Sequence, residues 1–129
     1  MIHPNKKRLR RSMMFLNAQK PSLIKDPYIY GADSIMLDLE DAVAENQKDA
    51  ARYSLYHALQ EIDYRGTERV VRINGLDTPH WKEDIRVCVA GGADVIRIAK
   101  TESARMCVRL RSMCWLLRRN SDVPRVLPF

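Results

Sequence analysis

The chain has 129 residues, 46% of them hydrophobic and 29% charged, and its 22 Lys and Arg against 16 Asp and Glu give a formal charge of +6. This is the make-up of a globular protein, and no apolar run approaches the roughly 18 residues needed to span a bilayer, so a membrane-spanning role is excluded. The charged start, Met1–Arg11, has no apolar stretch behind it and does not read as a secretory signal. Three cysteines, none in a CxxC pair, exclude a disulfide framework and a zinc site, and a reducing, cytoplasmic setting is expected.

The charge is unevenly placed. Residues 1–103 hold 16 basic and 15 acidic residues, whereas residues 104–129 hold six arginines and one acid, Asp122. This shift divides the chain at about residue 103.

In chain order, Arg11–Leu16 reads as a short buried strand, and Pro21–Tyr30 as a short helix interrupted near Pro27. Ser34–Leu39 is a second apolar run ending in acids. Asn46 is placed to cap a helix reaching about Ile62, with Ala51, Leu55, Ala58, Leu59 and Ile62 on one face of a 3.6-residue period. Arg69–Ile73 is a third strand. Thr78-Pro79 opens a helix carrying Trp81, Ile85, Cys88 and Val89, with Gly91 at its left-handed end. Asp94–Ile98 is a fourth strand, and Thr101 a further helix start. Strands alternating with helices predict right-handed βαβ units around a parallel sheet, apolar on both faces. The fold class is α/β: either an open doubly wound sheet or about four βα units of a (β/α)8 barrel, which needs about 250 residues.

In both architectures sites form at the carboxyl ends of the strands. There the sequence places Asp38, Glu40 and Asp41 after strand two, Arg72 and Asn74 on strand three, and Lys100 after strand four. Alternation puts Asp38 with Glu40 and Arg72 with Asn74. Carboxylates hold Mg²⁺ directly or through its waters, and a guanidinium fork grips a carboxylate or enolate. The set suits chemistry on a small acidic molecule. Acids after a strand also cap helices or solvate loops, but Arg72, inside a Val- and Ile-rich strand, demands a partner. No GxGxxG follows strand one, so a dinucleotide site is not expected. His3, His57 and His80 read as structural or solvated.

Six separated segments occur in order: Arg11–Phe15, Gly31–Val43, Lys48–Arg52, Val71–Thr78, Gly91–Asp94 and Ile96–Ser103. Together they resemble the citrate lyase β subunits of the HpcH/HpaI aldolase and malyl-CoA lyase superfamily, from about Lys7 to Ser103. Asn17-Ala-Gln-Lys20 stands where many relatives have a Pro-Gly turn. The resemblance implies the N-terminal half of a TIM barrel and a Mg²⁺-dependent retro-Claisen cleavage of a citryl thioester on an acyl carrier protein, giving oxaloacetate and an acetyl thioester. It also implies a citrate lyase α subunit and an acyl-carrier γ subunit as partners. Asp38, Glu40 and Asp41 match the acidic strand-two motif assigned to catalysis, and Arg72 and Lys100 match substrate-binding positions. The direct metal ligands are expected from strands beyond the fourth.

Residues 104–129 do not resemble the acidic, amphipathic helix that follows in relatives, and are expected to be a frameshifted tail. Alone, such a chain is expected to expose two strand edges, to aggregate and to lack turnover. Three readings therefore stand: the lyase subunit, an inactive remnant of it, and, last, a nucleic-acid or membrane-surface binder using Lys6–Arg11 and the tail arginines. The gene decides the origin of the tail. In the neighbouring frame, the nucleotides after codon 103 are expected to encode an acidic amphipathic helix and the rest of the barrel; their absence contradicts the frameshift.

Overall fold

A computed structural model describes residues 8–18, 20 and 25–119. His3, Lys6, Lys7, the segment 21–24 and the stretch 120–129 lie outside the described residues.

The four expected strands form, as β1 (Met13–Asn17), β2 (Ser34–Asp38), β3 (Glu68–Ile73) and β4 (Val95–Ile98). They lie in the order β1-β2-β3-β4, all neighbours parallel. Parallel neighbours require a crossover between them. Helix α1 (Lys48–Glu61) joins β2 to β3, α2 (Trp81–Gly91) joins β3 to β4, and α3 (Ala104–Arg119) follows β4. Of the short helix expected over Pro21–Tyr30, the described part is a single 3₁₀ turn, Pro27–Tyr30.

Side chains alternate across a strand, and here the two faces differ in chemistry. Leu16, Ile35, Leu37, Val71 and Ile73 join one core with Ala51, Leu55, Ala58 and Leu59 of α1 and Trp81, Ile85 and Cys88 of α2. This is the helix-covered face. On the other face the register sets Phe15, Met36, Val70 and Val95 side by side, with Asn17, Asp38, Arg72 and Arg97 in the next row toward the carboxyl ends. On β1 this face is open, with Phe15 52% exposed and Met13 39%, while Met36 and Val70 in the middle of the sheet are buried. The expectation of strands apolar on both faces is corrected: one face is a core, and the other ends in a polar row.

Several boundaries move for identifiable reasons. A 3₁₀ turn, Glu45–Gln47, precedes α1, so Gln47 rather than Asn46 occupies the cap position, and it makes no side-chain cap bond. Thr78 closes a turn instead of starting α2, its Oγ1 donating to the Gly75 carbonyl at 2.7 Å. Gly92, at φ +78°, takes the left-handed end of α2 that was expected of Gly91. Gly91 is needed for another reason, since a Cβ there would stand 2.8 Å from Leu59 Cδ1. Thr101 Oγ1 donates to the Ile98 carbonyl, and α3 begins only at Ala104.

The composition break near residue 103 falls in the turn before α3. That helix still presents Met106, Leu110, Met113, Cys114 and Leu117 to the core, the spacing α1 uses for its own apolar face. None of its residues is fully buried, and Val108, Trp115 and Leu116 are exposed.

At the amino-terminal foot of the sheet the basic lead-in is ion-paired, although Arg10 and Arg11 stay exposed. Arg10 gives Nε and Nη2 to the buried Glu68 at 2.9 and 2.6 Å, Arg8 lies 3.5 Å from Asp94, and Arg11 pairs with Asp33 at 2.9 Å. Three of the arginines offered for nucleic-acid binding are thus committed to acids of the same chain.

The split between the faces sets where truncation is costly. Leu55, fully buried between sheet and helices, should lose about 2–5 kcal/mol on substitution by Ala. Leu116→Ala, on the exposed side of α3, should change stability by no more than about 0.5 kcal/mol. Urea unfolding of the two variants checks this, and equal losses would contradict the core described.

Candidate functional site

Register brings the site together. Asp38 is the Cα partner of Arg72 across the β2–β3 pair, so both side chains leave the sheet on the same face at the same height. Arg72 Nε donates to Asp38 Oδ1 at 2.8 Å, and Arg72 Nη2 donates to Asp38 Oδ2 at 2.6 Å. This is the two-point guanidinium–carboxylate geometry that is stronger and more directional than a single contact. The same carboxylate accepts the backbone N–H of Glu40 at 3.0 Å and of Ala42 at 3.2 Å. A carboxylate has about four lone-pair sites, and Asp38 has all of them filled. Burial alone would push its carboxyl up, but Arg72 and the two backbone donors outweigh that and hold it below the usual carboxylate range.

Glu40, two residues on, is also buried. Its Oε2 lies 3.4 Å from Arg72 Nη1 and accepts the Asp41 N–H at 3.2 Å, and its Oε1 lies 3.3 Å from Lys100 Nζ. One acceptor position is left on Glu40. Its hydrogen bond, followed by the charges of Glu40 and Asp41, raises the pKa of Lys100 above the ordinary lysine value. Arg72 is likewise raised, first through its bond to Asp38. Lys100 reaches Glu40 from a left-handed backbone, φ +51°. For a residue with a side chain that conformation costs about 1–2 kcal/mol, the kind of strain found where geometry serves a site. Asp41 is exposed at the rim. The structure therefore joins Asp38, Glu40, Arg72 and Lys100 in one ion-pair chain, with Asp41 beside it.

Asn74 does not belong to this group. The strand ends at Ile73, and Asn74 turns to the helix layer, where its N–H and Nδ2 donate to the fully buried Asp84 of α2 at 2.9 and 2.7 Å. Arg52 of α1 donates to the same carboxylate at 2.9 Å. Asp84 thus fastens the end of β3 to both crossover helices, directly behind Arg72.

Three features were not expected from the sequence. Lys48 is buried and donates to the Leu39 and Glu40 carbonyls at 2.8 and 2.7 Å, pinning the acidic loop. Asn17 Nδ2 holds the Ala42 carbonyl of the same loop at 2.7 Å. Phe15 lies beneath two guanidiniums, with Arg72 and Arg97 at 5.4 and 5.9 Å from its ring centroid. Only the alternation of Phe15 and Asn17 along β1 carried any signal of this.

His57 pairs with Glu61 along α1, and His80 contacts Glu45, so both are structural. Cys88, Cys107 and Cys114 are free, and burial pushes the Cys88 thiol up. Two clefts, of about 260 and 340 Å³, both bordered by Arg8, Arg65, Gly66 and Thr67, lie at the opposite end of the strands.

Comparison with known proteins converges on one family. Its sequence profile, described as HpcH/HpaI aldolase/citrate lyase, matches residues 11–121 and so runs through α3. The chain belongs to the HpcH/HpaI aldolase/citrate lyase family. It is 56% identical over 109 residues to the citrate lyase subunit beta of Leuconostoc mesenteroides, covering 84% of this chain and 36% of that protein. It is 44% identical over 104 residues to the Escherichia coli subunit, covering 81% of this chain and 34% of that one. Among solved structures it resembles the Mycobacterium tuberculosis protein CitE in complex with magnesium and acetate, with a TM-score of 0.68 and 31% identity over 81% of this chain and 43% of that one. A citrate lyase beta subunit of that organism complexed with oxaloacetate and magnesium gives a TM-score of 0.61 and 30% identity, covering 78% of this chain and 44% of that one. The chain thus spans about a third of the curated relatives it matches, and its four-stranded parallel sheet corresponds to part of a TIM barrel.

Magnesium in those neighbours prompts a test of the donors present here. Among the described residues no group of three or more His, Cys, Asp and Glu could hold a metal. Asp38 has no free oxygen lone pair, which leaves Glu40 Oε1 and the exposed Asp41 carboxylate. That donor set fits a hydrated cation held at Glu40 and Asp41, with Asp38 taking no part in its ligation.

The site makes stability depend on acid. A carboxyl depressed in the fold contributes stability that is present above its unfolded pKa and lost as pH falls through its folded pKa. The unfolding free energy should therefore fall as pH drops below the ordinary carboxylate range. Asp38→Asn should make that fall shallower while lowering stability at pH 7. An unchanged acid limb, measured by denaturant titration from neutral to acid pH, would contradict the Asp38–Arg72 assignment.

Proposed function

We propose that this chain carries part of a citrate lyase β active site, and that the whole protein cleaves a citryl thioester on an acyl carrier protein to oxaloacetate and an acetyl thioester. The observation that supports the reading is the Arg72 guanidinium, held by Asp38 and Glu40 at the carboxyl tips of β2 and β3. Two of its five N–H groups go to Asp38 and one points to Glu40, which leaves donors on the open side for a substrate carboxylate. Asp38 works by holding that fork still. Lys100 adds a second cation at the rim.

In the retro-Claisen step the bond between the hydroxyl-bearing carbon and the thioester's methylene carbon breaks. The hydroxyl loses its proton as the ketone forms, and the electron pair passes to the thioester enolate, which is then protonated to the acetyl thioester. Prearranged positive charge lowers the cost of such developing oxyanions. Mg²⁺, when bound, polarises the hydroxyl and carboxylate oxygens of the citryl group. Glu40 and Asp41 are the residues that would hold the ion through its water shell. The α subunit and the acyl-carrier γ subunit of citrate lyase are the partners this reading calls for, in the cytoplasm. None of the described helices is long and apolar enough to cross a membrane.

A second reading, an inactive remnant that keeps the substrate grip, is favoured by the donor set just described, in which Asp38 has no free lone pair. Two measurements separate the readings. Oxaloacetate with Mg²⁺ should bind the 129-residue chain, and Arg72→Gln should weaken that binding about tenfold or more, since a charge-assisted hydrogen bond contributes about 1.5–3 kcal/mol. Turnover of a citryl thioester by the chain alone should stay at background. Clear turnover would overturn the remnant, and oxaloacetate binding indifferent to Arg72 would overturn both readings.

A further inference from the structure

Past the end of β2 at Asp38, side chains hold the acidic loop where the strand ladder no longer does. Leu39 still gives its N–H to the Arg72 carbonyl at 3.0 Å. Its own carbonyl and that of Glu40 both accept from Lys48 Nζ, at 2.8 and 2.7 Å. The Glu40 N–H goes to Asp38 Oδ1 at 3.0 Å. The peptide groups on both sides of Glu40 are thus fixed, one by Asp38 and one by Lys48, and with them the direction in which its side chain leaves the backbone.

We propose that Lys48 is a positioning residue of this site, holding the Glu40 carbonyl so that the Glu40 carboxylate is preset between Arg72 and Lys100, a role that rests on the reading of the site given above. Two features of its location disfavour an ammonium. Lys48 is buried, which penalises its charge. It is also the first residue of α1, at the positive pole of the helix dipole. An apolar side chain of the same length would carry neither cost. The two loop carbonyls offset them, which ties the charge of Lys48 to the position of the loop.

The distances say which contacts do the aiming. Glu40 Oε2 and Oε1 stand 3.4 and 3.3 Å from Arg72 Nη1 and Lys100 Nζ, longer than the bonds at its backbone. The cations therefore grip the carboxylate less closely than Lys48 and Asp38 grip the peptides that carry it. A Glu40 side chain that swung away would loosen Arg72 on one side and withdraw the acceptor offered to a hydrated cation. Were Lys48 only an anchor for α1, its loss would be felt equally with and without the Glu40 carboxylate.

The test uses the 129-residue chain with Lys48→Met, Glu40→Gln and the combined variant. Met keeps the reach of the side chain and removes its donors. Without ligand, the Glu40 amide should exchange its hydrogen about tenfold faster in Lys48→Met, the effect of about 1.4 kcal/mol, while the amides of Leu55 and Val71 keep their protection. In titrations with oxaloacetate and Mg²⁺, Lys48→Met should weaken binding about tenfold, as losses of outer residues around a metal site do, and should have no further effect in the Glu40→Gln background. Lys48→Gln, which keeps an N–H donor on a shorter arm, should fall between parent and Lys48→Met; should Lys48→Met fail to fold, Lys48→Gln carries the same comparison. Equal losses in both backgrounds, unchanged binding, or an exchange increase shared by Leu55 and Val71 overturn the positioning role and leave that of Arg72 standing. Absence of oxaloacetate binding by the parent overturns the substrate-site reading, and amide exchange then decides by itself whether Lys48 holds Glu40.

Discussion

One ion pair organises this molecule's functional end. Asp38 and Arg72 face each other across two parallel strands, and their geometry depends on a backbone register that a one-residue slip would destroy. A guanidinium inside a Val-rich strand is costly without a partner, and a buried carboxylate is costly without donors. Each removes the other's penalty. Asp38 then uses its remaining lone pairs to tie down the start of the next loop, so the pair also shapes the loop that carries Glu40 and Asp41.

The surroundings keep that pair in place from several sides. Lys48 holds the loop carbonyls from below, and Asn17 holds the loop from the neighbouring strand. Asp84 gathers Arg52 and Asn74 on the helix side, fixing where β3 ends. What remains free is chemically specific: the open side of Arg72, the exposed ammonium of Lys100, one acceptor position on Glu40, and Arg97 beside the Phe15 ring. Asp38 is fully satisfied, and the open side of Arg72 and the Lys100 ammonium face outward beside the exposed Asp41 carboxylate.

The parts of this that period and parity govern were legible beforehand. Four βα units follow from apolar runs alternating with a 3.6-residue stripe, and Asp38 and Glu40 share a face because they are two apart. Arg72 announced a partner because a charge set among the buried residues of a Val-rich strand is costly alone. The failures mark where local pattern stops being informative. Asn74 has the parity of Arg72, but the strand ends one residue before it and the turn sends it to Asp84. Gly91 and Gly92 are indistinguishable as letters; one avoids Leu59 and the other adopts the left-handed conformation. Lys48 looks like a solvated lysine in a first helical turn, because its acceptors are backbone carbonyls that no sequence displays. Arg97 could be placed on a face, but not against the ring it shares with Arg72.

The pairing of Asp38 with Arg72 is tested most directly by a double-mutant cycle on unfolding, using Asp38→Asn, Arg72→Gln and the combined variant. Contacting residues in one network couple by about 0.5–3 kcal/mol, whereas independent sites add to within about 0.3–0.5 kcal/mol. The structure predicts a coupling above about 1 kcal/mol for this buried, two-point pair. Simple additivity would mean that the two groups do not hold each other, and the site built around them would not exist in solution.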